Sequence, residues 1–219
     1  MILIFILFSQ LGYAQSDLIG YWEPEVSFNY AVTSNYRHNF GIRKRSFIYT
    51  DDQTELRLRQ IDISHFSNWK VNANESLGGG ILYRFRDGFE GGSNELRITQ
   101  QYNYAIRPVA IRFGHRIRAE QRITTLKTIH RFRYRFAVDF ALNGEKTDIG
   151  EAYLAISTEA LLSVAKASLP AYDHRLTIQI GWLLTDKLRF QTGTEYRSEN
   201  FVKGTEPVLL FLSSLIFSI

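Results

Sequence analysis

The sequence predicts an all-β fold, an antiparallel up-and-down transmembrane β-barrel of 10–12 strands, on three observations. Apolar and polar residues alternate with a period of two in segment after segment. The segments run to about 10–13 residues, long for a soluble sheet but the length that a tilted strand needs to cross a bilayer. Aromatic residues gather near the ends of the apolar faces, as Tyr21, Trp22, Tyr83, Phe85, Tyr102, Tyr104 and Tyr196 do, which is how an interfacial girdle reads.

The first fourteen residues, MILIFILFSQLGYA, are an apolar run closed by the small residues Gly12 and Ala14. They predict a secretory signal peptide over 1–14, cut ahead of Gln15, although the usual basic start is missing. Residues 15–219 are then one barrel domain, because no linker, charge block or internal repeat divides them. The expected location is the outer membrane, reached by export through that N-terminal segment.

The candidate strands are 20–32, 36–48, 55–69, 76–86, 94–106, 109–122, 128–142, 151–162, 173–185, 187–198 and 207–219. Clusters of Gly, Asn, Asp, Ser and Pro separate them, as in a meander. In 76–86 the apolar face is Leu77, Ile81, Tyr83 and Phe85, with Arg84 and Arg86 opposite; in 94–106 Leu96, Ile98, Tyr102 and Tyr104 face away from Glu95, Arg97, Gln101 and Asn103. In 128–142, HRFRYRF places an arginine at every second position. In 173–185 Leu176, Ile178, Ile180 and Trp182 oppose Arg175, Thr177 and Gln179, and in 187–198 Leu188, Phe190 and Tyr196 oppose Arg189, Gln191, Glu195 and Arg197. Residues 158–168, TEALLSVAKAS, are the one stretch that reads as a short helical loop. Closed bacterial barrels usually have an even strand number. A break in 55–69, where the apolar phase slips between Leu58 and Ile61, or one false strand, would restore it.

Cysteine is absent, which excludes disulfides, thiol catalysis and Cys-ligated metals. The net charge of +4 is mild and spread along the chain. No phosphate loop, metal-ligand spacing or nucleophile elbow occurs, so no metal, no cofactor and no catalytic residue is expected. The glycines of LGGGIL (77–82) lie inside an alternating strand, where they mark a bend, a bulge or room for a bulky neighbour. Nucleic acid is not an expected partner, since arginines and aromatics point to opposite faces. His65 and Ser67 share one strand face, the spacing of outer-membrane lipid hydrolases that carry His and Ser towards lipid. Glu75 is the nearest carboxylate to orient the imidazole.

Arginine is what distinguishes the predicted interior. A tight Arg107-Pro108 connection pairs Ile106 with Val109, and a Thr124–Lys127 turn pairs Ile123 with Thr128. This puts Arg97, Arg118 and Arg133 in one row. Thr99, Arg116 and Arg135 form the next, Glu95, Glu120 and Arg131 the row on the other side, and Asn103, Arg112 and Asp139 lie further along. Like charges face to face need compensation. Either Glu95, Glu120, Asp139, Glu159 and Glu195 neutralise the arginines in a polar plug, or the arginines line a narrow anion-selective channel for small anionic solutes. A structural or loop-mediated role accompanies the plug; a soluble periplasmic barrel is a third reading. Partners are outer-membrane lipid and, for the channel, small acidic solutes.

The strand pair GHRIRAEQR (114–122) and HRFRYRF (130–136) resembles the DUF2490 family of Gram-negative bacteria. That resemblance implies an outer-membrane β-barrel with no assigned activity.

Overall fold

A computed structural model describes residues 18–50, 53–201 and 204–219. The expected signal peptide lies outside them. The strands are β1 Ile19–Ala31, β2 Tyr36–Tyr49, β3 Arg57–Lys70, β4 Glu75–Phe85, β5 Glu95–Ile106, β6 Ile111–Ile123, β7 Thr128–Ala141, β8 Ala152–Ala165, β9 Ala171–Leu183, β10 Leu188–Glu199 and β11 Glu206–Ser218. A single-turn helix, α1 (Asp87–Glu90), lies between β4 and β5. Each strand corresponds to one of the expected segments. Each hydrogen-bonds to its sequence neighbours, and β1 pairs with β11 to close the barrel.

The closure corrects the expectation of an even count. With eleven strands in meander order the first and last run the same way, and β1 pairs β11 in parallel from Ile19↔Val208 to Asn29↔Ser218. Parallel ladders are slightly weaker per residue than antiparallel ones, but they satisfy both edges' backbone groups, which closure requires. The phase slip in 55–69 is a bulge and not a break. Arg45 pairs with Gln60 and Ser46 with Leu58, leaving Arg59 as the extra residue. Residues 158–165 are strand, not helix, since β7 and β9 both hydrogen-bond to them and override local helix propensity.

Four hairpins share one device. Thr33, Asn72, Thr124 and Thr185 each use a side-chain oxygen to accept backbone N–H groups two and three residues on. These are the Asx and Ser/Thr turns that polar residues at such positions favour. We call the end bearing the 32–35, 71–74, 107–110, 142–151 and 184–187 connections the turn end. The other is the loop end.

Burial is inverted relative to a water-soluble barrel. Glu23, Asp62, Arg84, Glu95, Arg97, Glu120 and Arg197 are buried, while Phe40, Ile42, Ile63, Trp69, Ile81, Ile117, Phe132 and Ile178 are exposed. Strict alternation explains the division: each charged residue faces the axis and its apolar neighbours face outwards.

Candidate functional site: the barrel interior

The barrel encloses a cavity of about 750 Å³. Of the residues expected in the interior, Arg97, Arg116, Arg118, Arg131, Arg133, Arg135, Glu120, Glu159 and Glu195 line it. Glu95 shares their face and is buried against the loop end, while Arg112 and Asp139 pair near the turn end.

The expected rows need one correction. β6 and β7 pair as anticipated, Arg118 with Arg133, Arg116 with Arg135, Glu120 with Arg131 and Arg112 with Asp139. β5 is displaced along β6: Ile106 pairs with Phe113, so Arg97 faces Arg122, Thr99 faces Glu120, Gln101 faces Arg118 and Asn103 faces Arg116. The cause is Pro108. Its ring holds φ at about −65°, which the positive-φ central positions of a tight hairpin exclude. The chain makes a longer connection instead, with Val109 in the left-handed region at φ 60°.

This register breaks up the expected line of three guanidinium groups and distributes carboxylates among them. Glu95 takes Arg97 on one oxygen and Arg122 on the other, both at 2.6 Å. Glu120 accepts from Arg133 at 2.8 Å and lies 3.5 Å from Arg118. Arg133 also reaches Glu159, and Arg197 holds Glu195 at 2.6 Å. Asp62 and Arg84 form a two-pronged pair at 2.7 and 2.8 Å, and Arg45 pairs with Glu23. Such forked guanidinium–carboxylate contacts are the stronger kind of ion pair.

Sequence reasoning left Glu23, Arg45, Asp62 and Arg122 out of the interior, whereas Arg84, Arg175 and Arg197 stand on the polar faces that alternation predicts without having been singled out as site residues. For β1 the signal was there, since Glu23 and Glu25 alternate with Trp22 and Val26. For β3 the bulge at Arg59 hid it, because the phase on one side of a bulge does not continue on the other.

The two halves of the interior differ. Towards the loop end, Tyr21, Phe47, Val208 and Leu210 form a buried apolar cluster inside the barrel, with Leu210 0% exposed. Arg57 and Arg59 lie over these rings, 4.6 Å from Phe47 and 4.9 Å from Tyr21, because the bulge turns both inwards. Towards the turn end the lining includes Asn29, Asn39, Asn68, Asn103, Gln179 and Gln191, all half-buried, with Arg37 and Lys70 exposed at the rim. We call this cavity the cup: ion pairs and apolar side chains crowd it towards one end and amides line it towards the other.

Gly80 is a fixed part of the wall. A Cβ there would lie 2.4 Å from the Phe66 ring, which fills the space and carries the Arg118 guanidinium 5.4 Å from its centroid. The glycine run thus gives room to a bulky neighbour.

The family is decided by a match along most of the chain: the model of a family described as "Protein of unknown function (DUF2490)" matches residues 20–206. The protein belongs to the DUF2490 family. No curated protein matches it. Among solved structures it is similar to an anion-selective porin from Comamonas acidovorans, with 12% identity, a TM-score of 0.39 and coverage of 85% of this chain and 54% of the porin. The chain thus spans about half the length of that porin.

On the outer face of this DUF2490 protein, β2 and β3 bring His65 and Ser67 beside His38 and Tyr36. His38 Nδ1 lies 2.9 Å from His65 Nε2 and 3.3 Å from Ser67 Oγ, and Tyr36 donates to Ser67 at 3.1 Å. A serine nucleophile needs a base whose second nitrogen is held by an orienting group. Here one nitrogen serves both neighbours. Glu75, the carboxylate nominated from the sequence, accepts instead from the Tyr102 hydroxyl at 2.6 Å and from Asn72.

Proposed function

We propose that this DUF2490 protein is an outer-membrane β-barrel with a sealed, ion-paired interior, acting through its cup and connections and not as an enzyme or a through-channel. The observation that carries the reading is the dense ion pairing towards the loop end. There Glu23, Asp62, Glu95 and Glu120 are each 6% exposed or less, each is held by arginines, and the Tyr21–Leu210 cluster lies beside them. The inverted burial supports the membrane. An outer surface of exposed Phe, Ile, Trp and Tyr around a charged interior suits hydrocarbon and would associate in water, which disfavours a soluble periplasmic barrel. The shared His38 nitrogen supports a non-catalytic role for Ser67.

Fractionation and reconstitution test both parts. The protein is expected in the outer-membrane fraction with a heat-modifiable band on a gel. In planar bilayers it is expected to carry no steady current. Recovery from the soluble periplasm overturns the location, and a stable unitary conductance overturns the seal.

A narrow anion channel is the second reading, favoured by the surplus of arginine along the cavity. It requires the ion-paired end to open. In that case Arg118→Glu shifts a measurable current towards cations; in the sealed barrel it sets a new carboxylate beside Glu120 and costs stability with no current.

A further inference from the structure

Of the interior arginines outside the ion-paired network, three cluster on neighbouring strands. Arg116 and Arg135 face each other across β6 and β7. Arg135 is level with Glu159 on β8, which is level with Arg175 on β9. Arg175 in turn faces Arg197 on β10. The two carboxylates within this belt are committed elsewhere: Glu159 to Arg133, and Glu195 to Arg197 and to the Thr177 hydroxyl at 2.9 Å. The Nε atoms of Arg116, Arg135 and Arg175 are buried and have no hydrogen-bond partner, and none of the three is ion-paired among the described residues. All three line the cup.

All three side chains are half-buried, where a guanidinium without a close counter-charge is costly, and several held side by side repel one another. Their carboxylate neighbours are engaged by other arginines, and an anion in the cavity would supply the compensation. We propose that Arg116, Arg135 and Arg175 form a binding site for a small multivalent oxyanion, phosphate or a soluble phosphomonoester, entering from the turn end. Guanidinium forks match tetrahedral oxyanions through paired N–H donors, which single-charge halides cannot exploit. The amides of Asn103, Gln179 and Gln191 lie on the side from which the ligand enters and suit a hydroxylated remainder. The site rests on the reading of the interior as a polar cavity of an outer-membrane barrel, and it does not require the seal to hold.

The test uses the full folded barrel in zwitterionic detergent at constant ionic strength. Inorganic phosphate and glycerol phosphate are titrated calorimetrically, with chloride as the control. Saturable phosphate binding is expected, with chloride weaker by at least about tenfold. Arg175→Gln and Arg116→Gln should each weaken phosphate by about tenfold or more, whereas Arg112→Gln, paired with Asp139 near the turn end, should bind as the wild type does. Without phosphate, Arg116→Gln and Arg175→Gln should unfold at a higher denaturant concentration than the wild type, because an uncompensated charge is gone. Phosphate should reverse that order.

No phosphate heat above the chloride control, or unaltered affinity in Arg175→Gln, overturns the site. Should a variant fail to fold, the wild type decides: absence of a phosphate-specific rise in its unfolding midpoint overturns the proposal. Phosphate binding together with a bilayer current leaves the site standing and removes the seal.

Discussion

The loop-end and turn-end halves of the interior are built from the same alternating strands and reach opposite solutions to the same problem. Towards the loop end, charges are buried and matched, as Asp62 with Arg84 and Glu95 with Arg97 and Arg122, and apolar rings fill what remains. Towards the turn end, Asn29, Asn39, Asn68 and Asn103 need no counter-charge and remain half-exposed to the cavity. The difference teaches that one alternating pattern can fill a barrel interior with matched charges in one half and neutral amides in the other.

The largest expected effect falls where the matched half depends on one group. Glu120 is 1% exposed and stands among Arg97, Arg118 and Arg133. Glu120→Gln should cost about 3–5 kcal/mol, since it leaves buried guanidinium groups uncompensated. Urea unfolding of the refolded barrel measures it; a loss under about 1 kcal/mol would mean that the matched half is not held by its ion pairs.

Next comes the apolar cluster. Leu210→Ala removes a fully buried side chain from among Tyr21, Phe47 and Val208 and should cost about 2–5 kcal/mol. Paired with Tyr21→Ala it tests whether rings or ions make the seal. A current that appears in the double variant alone would assign the seal to the rings.

A smaller effect is expected between the halves, where β9 and β10 approach closely. A Cβ on Gly193 would lie 2.1 Å from the Ile178 carbonyl oxygen and 2.6 Å from Gln179 Cα. Gly193→Ala therefore forces backbone apart and should cost about 1–3 kcal/mol, read from the unfolding midpoint. No measurable cost would show that the wall there yields easily.

The smallest belongs to the turn end. Arg112 is 48% exposed and pairs with Asp139 at 2.7 Å. Arg112→Gln should change stability by about 0–1 kcal/mol, and less at high salt. A loss as large as that of Glu120→Gln would erase the distinction between the halves.

Much of this was legible in the chain. The faces of β4, β5, β6, β7, β9 and β10 followed directly from alternation, and with them the placing of Arg97, Arg116, Arg118, Arg133 and Arg135 inside. The β6–β7 register followed from the Thr124–Lys127 turn. Less legible were Asp62 and Gln60, whose phase is interrupted at Arg59, and Glu23, whose partner Arg45 comes from the next strand.

By itself the sequence determined which side of the unbulged strands is charged, since a period of two is a local property that survives whatever the neighbour does. It left two things to the tertiary structure. One is how far β5 slides along β6: a shift by an even number of residues keeps every side chain on its face, so hydrophobic pattern cannot detect it. The chain's connection at Pro108 and the sharing of Glu95 between Arg97 and Arg122 set it instead. The other is the seam. Nothing local to β1 or β11 marks them as partners, yet an eleven-strand meander can satisfy its last two edges only by pairing Ile19–Asn29 with Val208–Ser218 in parallel.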